Sequence, residues 1–272
     1  QTTDAKHPEL GLHNRFIPPR DPRHMEFASF ADISDNFEKL DFFGGEPLVN
    51  TTHLDLLEHM IASGKSQECT LYYSTNVVQF PHKRLLDAWQ NFKRVELSLS
   101  IDGLGNKFEY TRWPAKWSKV ERNVERFMEL HQLYPDVEWD IQGTTCFSAM
   151  TLFSFRDTIN WLKANMDATY VNVVNFPNYL APHIVPETVK NSLMFYYMGQ
   201  YDDTVNYVNL KPYDAKSFKQ FCIWMKRQDL YRKQDFATTF PDLYELIQPW
   251  WNEYTKDLSN ENYHSDWTLE NA

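Results

Sequence analysis

From about Leu40 onward, short apolar runs alternate with longer stretches in which apolar residues recur every three or four positions. The short runs predict strands over 38–43, 69–75, 94–101, 137–145 and 170–175. The longer stretches predict amphipathic helices, because a 3.6-residue period places such positions on one face. They cover 52–63 (Leu54, Leu57 and Ile61 on one stripe, Gly64 as the stop), 82–91 (Leu85, Leu86, Trp89), 117–131 (Val120, Val124, Phe127) and 151–164 (Phe155, Ile159, Leu162). Strands and helices in this alternation predict βαβ units, hence parallel strands joined by right-handed crossovers.

Two strands decide which kind of sheet this is. Along Val95 to Asp102 every second residue is apolar, and the other face is Glu96, Ser98, Ser100 and Asp102. Val137 to Thr144 repeats the pattern, with Glu138, Asp140, Gln142 and Thr144 on the polar face. A parallel strand covered by helices on both sides reads instead as a continuous apolar run. One face therefore packs on helices while the other meets water or a polar ligand, as in the lumen of an open barrel. An antiparallel sheet with one wet face also fits the alternation, but not the helical segments between the strands. The expectation is an α/β fold: a partial (β/α)6 TIM-like barrel of parallel strands followed by a mainly helical C-terminal region.

The rhythm changes after the loop 176–182, and helices are predicted over 186–200, 214–233 and 240–254. Residues 1–36, with Pro18-Pro19-Arg20-Asp21-Pro22, read as an irregular connector. The partial barrel is placed at 37–180, the helical region at 181–258 and a polar tail at 259–272.

Composition narrows the classes of function. The net charge of −10 argues against a nucleic-acid binder, which needs a clustered Lys/Arg face. No apolar run is long enough to span a bilayer and the start Gln1-Thr2-Thr3-Asp4 is no signal peptide, so a cytoplasmic protein is expected. Cys69, Cys146 and Cys222 lie far apart in sequence, a spacing of neither a disulfide framework nor a metal knuckle.

Chemistry concentrates where strands end. The first strand runs into Phe43-Gly44-Gly45-Glu46-Pro47. Paired glycines at the carboxyl end of a parallel strand let a ligand approach the backbone, a carboxylate beside them can accept an ammonium group, and Pro47 fixes the chain's exit. A tight turn with an exposed Glu is the plainer alternative. Thr75 and Ser100 offer short hydroxyls at strand ends. Asn76 either joins them or closes an Asx turn. Gln142 and Thr144 lie on the polar face, either for a ligand or for bonds to a neighbouring strand. Arg112 could pair with a substrate carboxylate or form a loop salt bridge, and Asp140 is a further substrate candidate.

These segments, in this order, resemble the radical S-adenosylmethionine (SAM) superfamily. Gly44-Gly45-Glu46-Pro47 is similar to that family's GGEP motif. Ser74-Thr75-Asn76 resembles its S/T-T-N-G, with Val77 where glycine is usual. Leu97 to Gly103 is similar to its fourth strand, and Asp102 through Arg112 to Trp117, with Lys233 to Leu243, resembles its twitch-domain members. The resemblance implies that Gly44, Gly45, Glu46, Pro47, Thr75, Asn76, Ser100, Asp102, Gln142 and Thr144 bind SAM. It also implies reductive cleavage of SAM to a 5′-deoxyadenosyl radical, hydrogen abstraction from a peptide or small-molecule substrate, and an electron donor such as ferredoxin or flavodoxin.

The family's reaction starts at a [4Fe-4S] cluster held by C-x3-C-x2-C, and thiolates are what bind and tune such a cluster. This sequence has no such triplet. Because the motif precedes GGEP in the family, and the chain opens on Gln, the expectation is a fragment that lacks the first barrel strand and its cysteine loop, leaving a sheet edge unpaired. The twitch region's auxiliary cluster has no support, since Cys222 is alone there. Two other readings remain: a cluster-less binding scaffold, and an unrelated βα-barrel hydrolase using Glu46 with Asp102 or Asp140 as acid and base.

Overall fold

The computed structural model describes residues 36–197 and 202–259. The connector read at 1–36 and the tail read at 259–272 lie outside them, apart from one residue each, as do the last positions of the helix read at 186–200.

Among the described residues, five strands form one sheet: β1 (Lys39–Phe42), β2 (Thr70–Thr75), β3 (Arg94–Ser100), β4 (Glu138–Phe147) and β5 (Ala168–Val173). Every neighbouring pair is parallel and the spatial order is the sequence order, β1-β2-β3-β4-β5. A doubly wound sheet would reverse direction part-way. Sequential order with right-handed crossovers puts the connecting helices on one face and leaves the other uncovered. The protein is therefore α/β with a partial TIM-like barrel, and the antiparallel alternative is excluded.

The helices are α1 (Leu54–Ala62), α2 (Lys83–Trp89), α3 (Gly105–Thr111), α4 (Trp117–Met128), α5 (Leu130–Leu133), α6 (Phe155–Asn165), α7 (Glu187–Tyr196), α8 (Asp202–Leu210), α9 (Ala215–Arg232), α10 (Phe236–Thr239) and α11 (Pro241–Thr255). Their stripes meet the outer strand face: Leu57, Leu85, Trp89, Val124, Phe127 and Leu162 are buried with Leu71, Tyr73, Val95, Leu97, Trp139 and Ile141. Close approach is built in at Gly143, where an added Cβ would lie 2.6 Å from both Leu162 Cδ2 and Met166 Sδ.

Three elements depart from the sequence reading. The helix read from 151 begins at Phe155, because Thr151 closes a turn first: its hydroxyl accepts from Ser148 N (2.9 Å) and donates to Cys146 O (3.0 Å). Helix α3 lies between the strand read at 94–101 and the helix read at 117–131, where no element was predicted. Gly103 (φ 106°) and Gly105 (φ 54°) only turn the chain into a helix that buries Phe108 and Tyr110. Helix α8 was not anticipated.

The C-terminal helices pack around an aromatic centre in which Phe236 stacks on Trp251 (5.0 Å between centroids) and tilts against Phe240 (5.1 Å). One polar joint fastens them to α3. Tyr110 Oη donates to Asp229 Oδ1 (2.8 Å), Phe236 N donates to Asp229 Oδ2 (3.0 Å), and Arg232 Nη1 donates to the Tyr110 carbonyl (3.3 Å). Among the described residues, no helix is long and apolar enough to cross a membrane.

Candidate functional site

The carboxyl ends of β1 and β2 are tied together by Glu46. Gly44 (φ 80°) and Gly45 (φ 55°) are left-handed, a conformation glycine adopts without penalty, and a Cβ on either would meet open space. The turn they make brings Glu46 over β2. Its Oε1 accepts from Thr75 Oγ1 (2.7 Å) and Leu48 N (3.2 Å), and its Oε2 from Asn76 N (2.9 Å). Thr75 is 1% exposed, so its hydroxyl serves the loop. Asn76 closes an Asx turn, its Oδ1 accepting from Val78 N (2.9 Å).

Val77 is left-handed too, with φ 65°, and fully buried. A β-branched residue there is strained. Thr75 Oγ1 accepts from Val77 N (3.1 Å), and Asn123 Nδ2, reaching from α4, donates to the carbonyls of Val77 (2.8 Å) and Val78 (3.3 Å). Those bonds hold the position where the resembled family carries glycine.

Beyond β3, Asp102 joins two strand ends. Its Oδ1 accepts from Cys146 N (2.7 Å), and its Oδ2 from Arg112 Nε (2.9 Å), with Arg112 Nη2 at 2.7 Å. Arg112 thus has the loop salt bridge, and its side chain borders two cavities. The edge cavity, about 570 Å³, is lined by Glu46, Asn76, Asp102, Arg112 and Trp113. The lumen cavity, about 640 Å³, is lined by Arg112, Ser100, Gln142, Thr144 and Asp140, with Phe43, Tyr72 and Tyr170 at its sides. Thr75 and Pro47 are buried and line neither.

The floor of the lumen is an ion-pair lattice. Arg94 donates from Nη1 to Glu138 (2.8 Å) and from Nη2 to Asp140 Oδ2 (2.5 Å), and its Nε lies 3.1 Å from Glu96. Lys39 Nζ donates to Glu96 Oε2 (2.7 Å). Gln142 Nε2 also donates to Asp140 Oδ2 (2.8 Å), which leaves the Gln142 carbonyl oxygen as the group offered to a ligand. Above it the hydroxyls of Ser98 and Thr144 bond at 2.7 Å. Sequence reasoning passed over Arg94, although the pairings Arg94↔Glu138 and Glu96↔Asp140 give its alternating charges their meaning. It weighed Cys146 only against disulfide and metal spacings, and the residue lines the lumen.

None of the cysteines is placed for thiolate chemistry. Burial, then the neighbouring Asp102, pushes the Cys146 thiol up to about 12, and burial pushes Cys69 up to about 11 and Cys222 higher still. Among the described residues, no group of three or more His, Cys, Asp or Glu side chains is arranged for a metal ion, so they do not fit an iron–sulfur cluster. Nor do Glu46, Asp102 and Asp140 form a free acid/base pair, since each is engaged by structural partners.

No protein-family model and no curated protein matches the chain. Among solved structures, it is similar to SuiB of Streptococcus suis bound to S-adenosylmethionine (12% identical, covering 75% of this chain and 40% of that one, TM-score 0.40). A second crystal structure of SuiB gives 13%, 86%, 48% and 0.42. Native anSMEcpe with bound AdoMet gives 18%, 79%, 53% and 0.41. The chain thus spans between 40% and 53% of the length of these three solved chains. At this distance the likeness carries no argument; the fold rests on the sheet and the site on its lining residues.

Proposed function

We propose that residues 37–180 are a SAM-binding partial barrel of the radical SAM type, within a parent protein that cleaves SAM reductively and abstracts hydrogen from a peptide or small-molecule substrate. One observation carries this reading: a single-wound parallel sheet with a polar uncovered face, at whose carboxyl edge a left-handed Gly44-Gly45 turn sets a carboxylate beside a cavity. That arrangement suits a ligand with a cationic amino-acid end and a polar nucleoside end, and the motif resemblance names such a ligand.

The residues fit SAM as follows. A carboxylate offers about four lone-pair directions, and Glu46 uses three on the loop, leaving one for the ligand's ammonium group. Asp102 and Asn76 border the same cavity; they, with Ser100, are proposed for the ribose hydroxyls, and Gln142 and Thr144 for the base or the substrate. Arg112 keeps N–H groups for a carboxylate, and Asp140 serves by holding Gln142. The described residues do not hold the cluster that would supply the electron, so no step through it is derived. The twitch-like character of 181–258, the ferredoxin- or flavodoxin-type donor and the cytoplasmic setting belong to the same proposal.

Calorimetric titration of the chain with SAM tests the binding half. Saturable binding is expected, weakened about tenfold by Glu46→Gln through loss of a charge-assisted bond; absence of binding by a folded chain overturns the reading. For the parent, reconstitution with iron and sulfide under reducing conditions is expected to release 5′-deoxyadenosine. A cluster-less binding scaffold is the second reading, favoured by the absence of a metal-binding group among the described residues. SAM binding without 5′-deoxyadenosine release from a clustered parent decides for it.

A further inference from the structure

On the outer, helical layer, away from the lumen, a groove of about 400 Å³ runs between α4 and the last turn of α6. Its apolar wall includes Met128, Trp161 and Met166, and its rim carries Glu121 and Glu125. Positions 121, 125 and 128 lie three and four apart on α4, so one helix face supplies both acids and part of the wall. Trp161 is braced by Trp117, whose ring lies edge-on at 5.2 Å between centroids.

The electrostatics of this groove are one-sided. Among the described residues, neither Glu121 nor Glu125 has an ion-pair partner. The nearby Arg126 is committed to the ring of Phe80, 3.6 Å from its centroid. Asp167, the third acid on the groove, is spent on Ile141 N (2.8 Å) and on His131 (3.0 Å). The C-terminal end of α6 adds unsatisfied carbonyls and the negative pole of its dipole.

We propose that this groove docks a segment of a partner protein that presents a lysine or arginine next to an apolar side chain. Two unpaired carboxylates and an indole give such a cation ion-pair and cation–π partners. The stem of the cation and the adjacent apolar residue cover Met128, whose flexible thioether adapts to varied shapes, beside the largely buried Met166. Charge complementarity selects the occupant, because an acidic or neutral segment leaves the rim unpaired. The proposal is independent of what the lumen binds.

The test uses the whole chain and a short alanine-based peptide carrying one Lys beside one Leu, with a twin in which Glu replaces Lys. The indole N–H resonance of Trp161, assigned by its loss in Trp161→Phe, is followed by NMR. A saturable shift with the Lys peptide and none with the twin is expected. Glu121→Gln with Glu125→Gln, the first half-buried and the second exposed, with the fold checked by circular dichroism, weakens binding about tenfold, as loss of two solvent-accessible ion pairs implies. Equal shifts from both peptides, full reproduction of the shift by lysine amide alone, or no shift at all overturns the proposal.

Discussion

The hydroxyl of Thr75 donates a 2.7 Å hydrogen bond to Oε1 of Glu46, across 29 residues of sequence and from one strand end to the next loop. The same hydroxyl oxygen accepts from Val77 N. One buried atom thus fixes the carboxylate proposed for the ligand and the strained loop beside it.

Thr75→Val keeps the shape and removes both roles. The buried Glu46 oxygen and Val77 N–H then lose a partner, which costs about 1–3 kcal/mol. Chemical denaturation checks the loss. SAM affinity is expected to fall as well, because the carboxylate is no longer held.

At Val77 the usual order of small residues is altered. Both Val77→Ala and Val77→Gly empty a buried site, but only glycine escapes the left-handed penalty of about 1–2 kcal/mol. Glycine is expected to be at least as stable as alanine, where in ordinary elements it is worse by roughly 1 kcal/mol. A glycine variant clearly below alanine in denaturation midpoint contradicts the strain at φ 65°.

The Asp102–Arg112 pair is expected to be coupled. Arg112→Ala leaves a largely buried carboxylate without its cation, and Asp102→Asn keeps an acceptor for Cys146 N while removing the charge. In a double-mutant cycle the combined loss falls short of the sum by about 0.5–3 kcal/mol. Additive losses mean the pair contributes nothing as a pair.

The joint at Asp229 predicts a pH dependence. Burial lifts this carboxyl to about 6, against the lowering effect of the bonds from Phe236 and Tyr110. The folded state therefore holds the proton more tightly than the unfolded chain. Its contribution to stability is fullest below about pH 4 and is lost as pH rises to about 6, a swing of about 2–3 kcal/mol. Asp229→Asn removes that titration, so the variant is expected to gain on the natural protein between these pH values. Parallel stability curves refute the assignment.

The sheet was legible because its signal is local. The alternation in 94–101 and 137–145 states which face is apolar, and the pairing Ser98↔Gln142 sets those polar faces side by side as read. What pairs polar side chains is not local. Asn123 holds the carbonyls of Val77 and Val78 from a helix some 45 residues away, and nothing in the α4 pattern marks it except a polar residue on an apolar stripe. Nothing local marks Arg94 either; only the register places Glu138 and Asp140 around it. The motif residues were found by resemblance, but their partners decide what they do: Thr75 faces the loop and not a cavity, and Arg112 faces Asp102 first.

Pairing in sequence order also bears on how the chain is made. Among the described residues, each strand docks on the one synthesised just before it, with one to three helical segments between them, so none of the five waits for a partner far along the chain. Contacts of short sequence separation form early and close small loops. The barrel can thus grow from β1 towards β5 as it leaves the ribosome, and the C-terminal aromatic layer, which needs α3 already in place for the Tyr110–Asp229 joint, is the last part to lock.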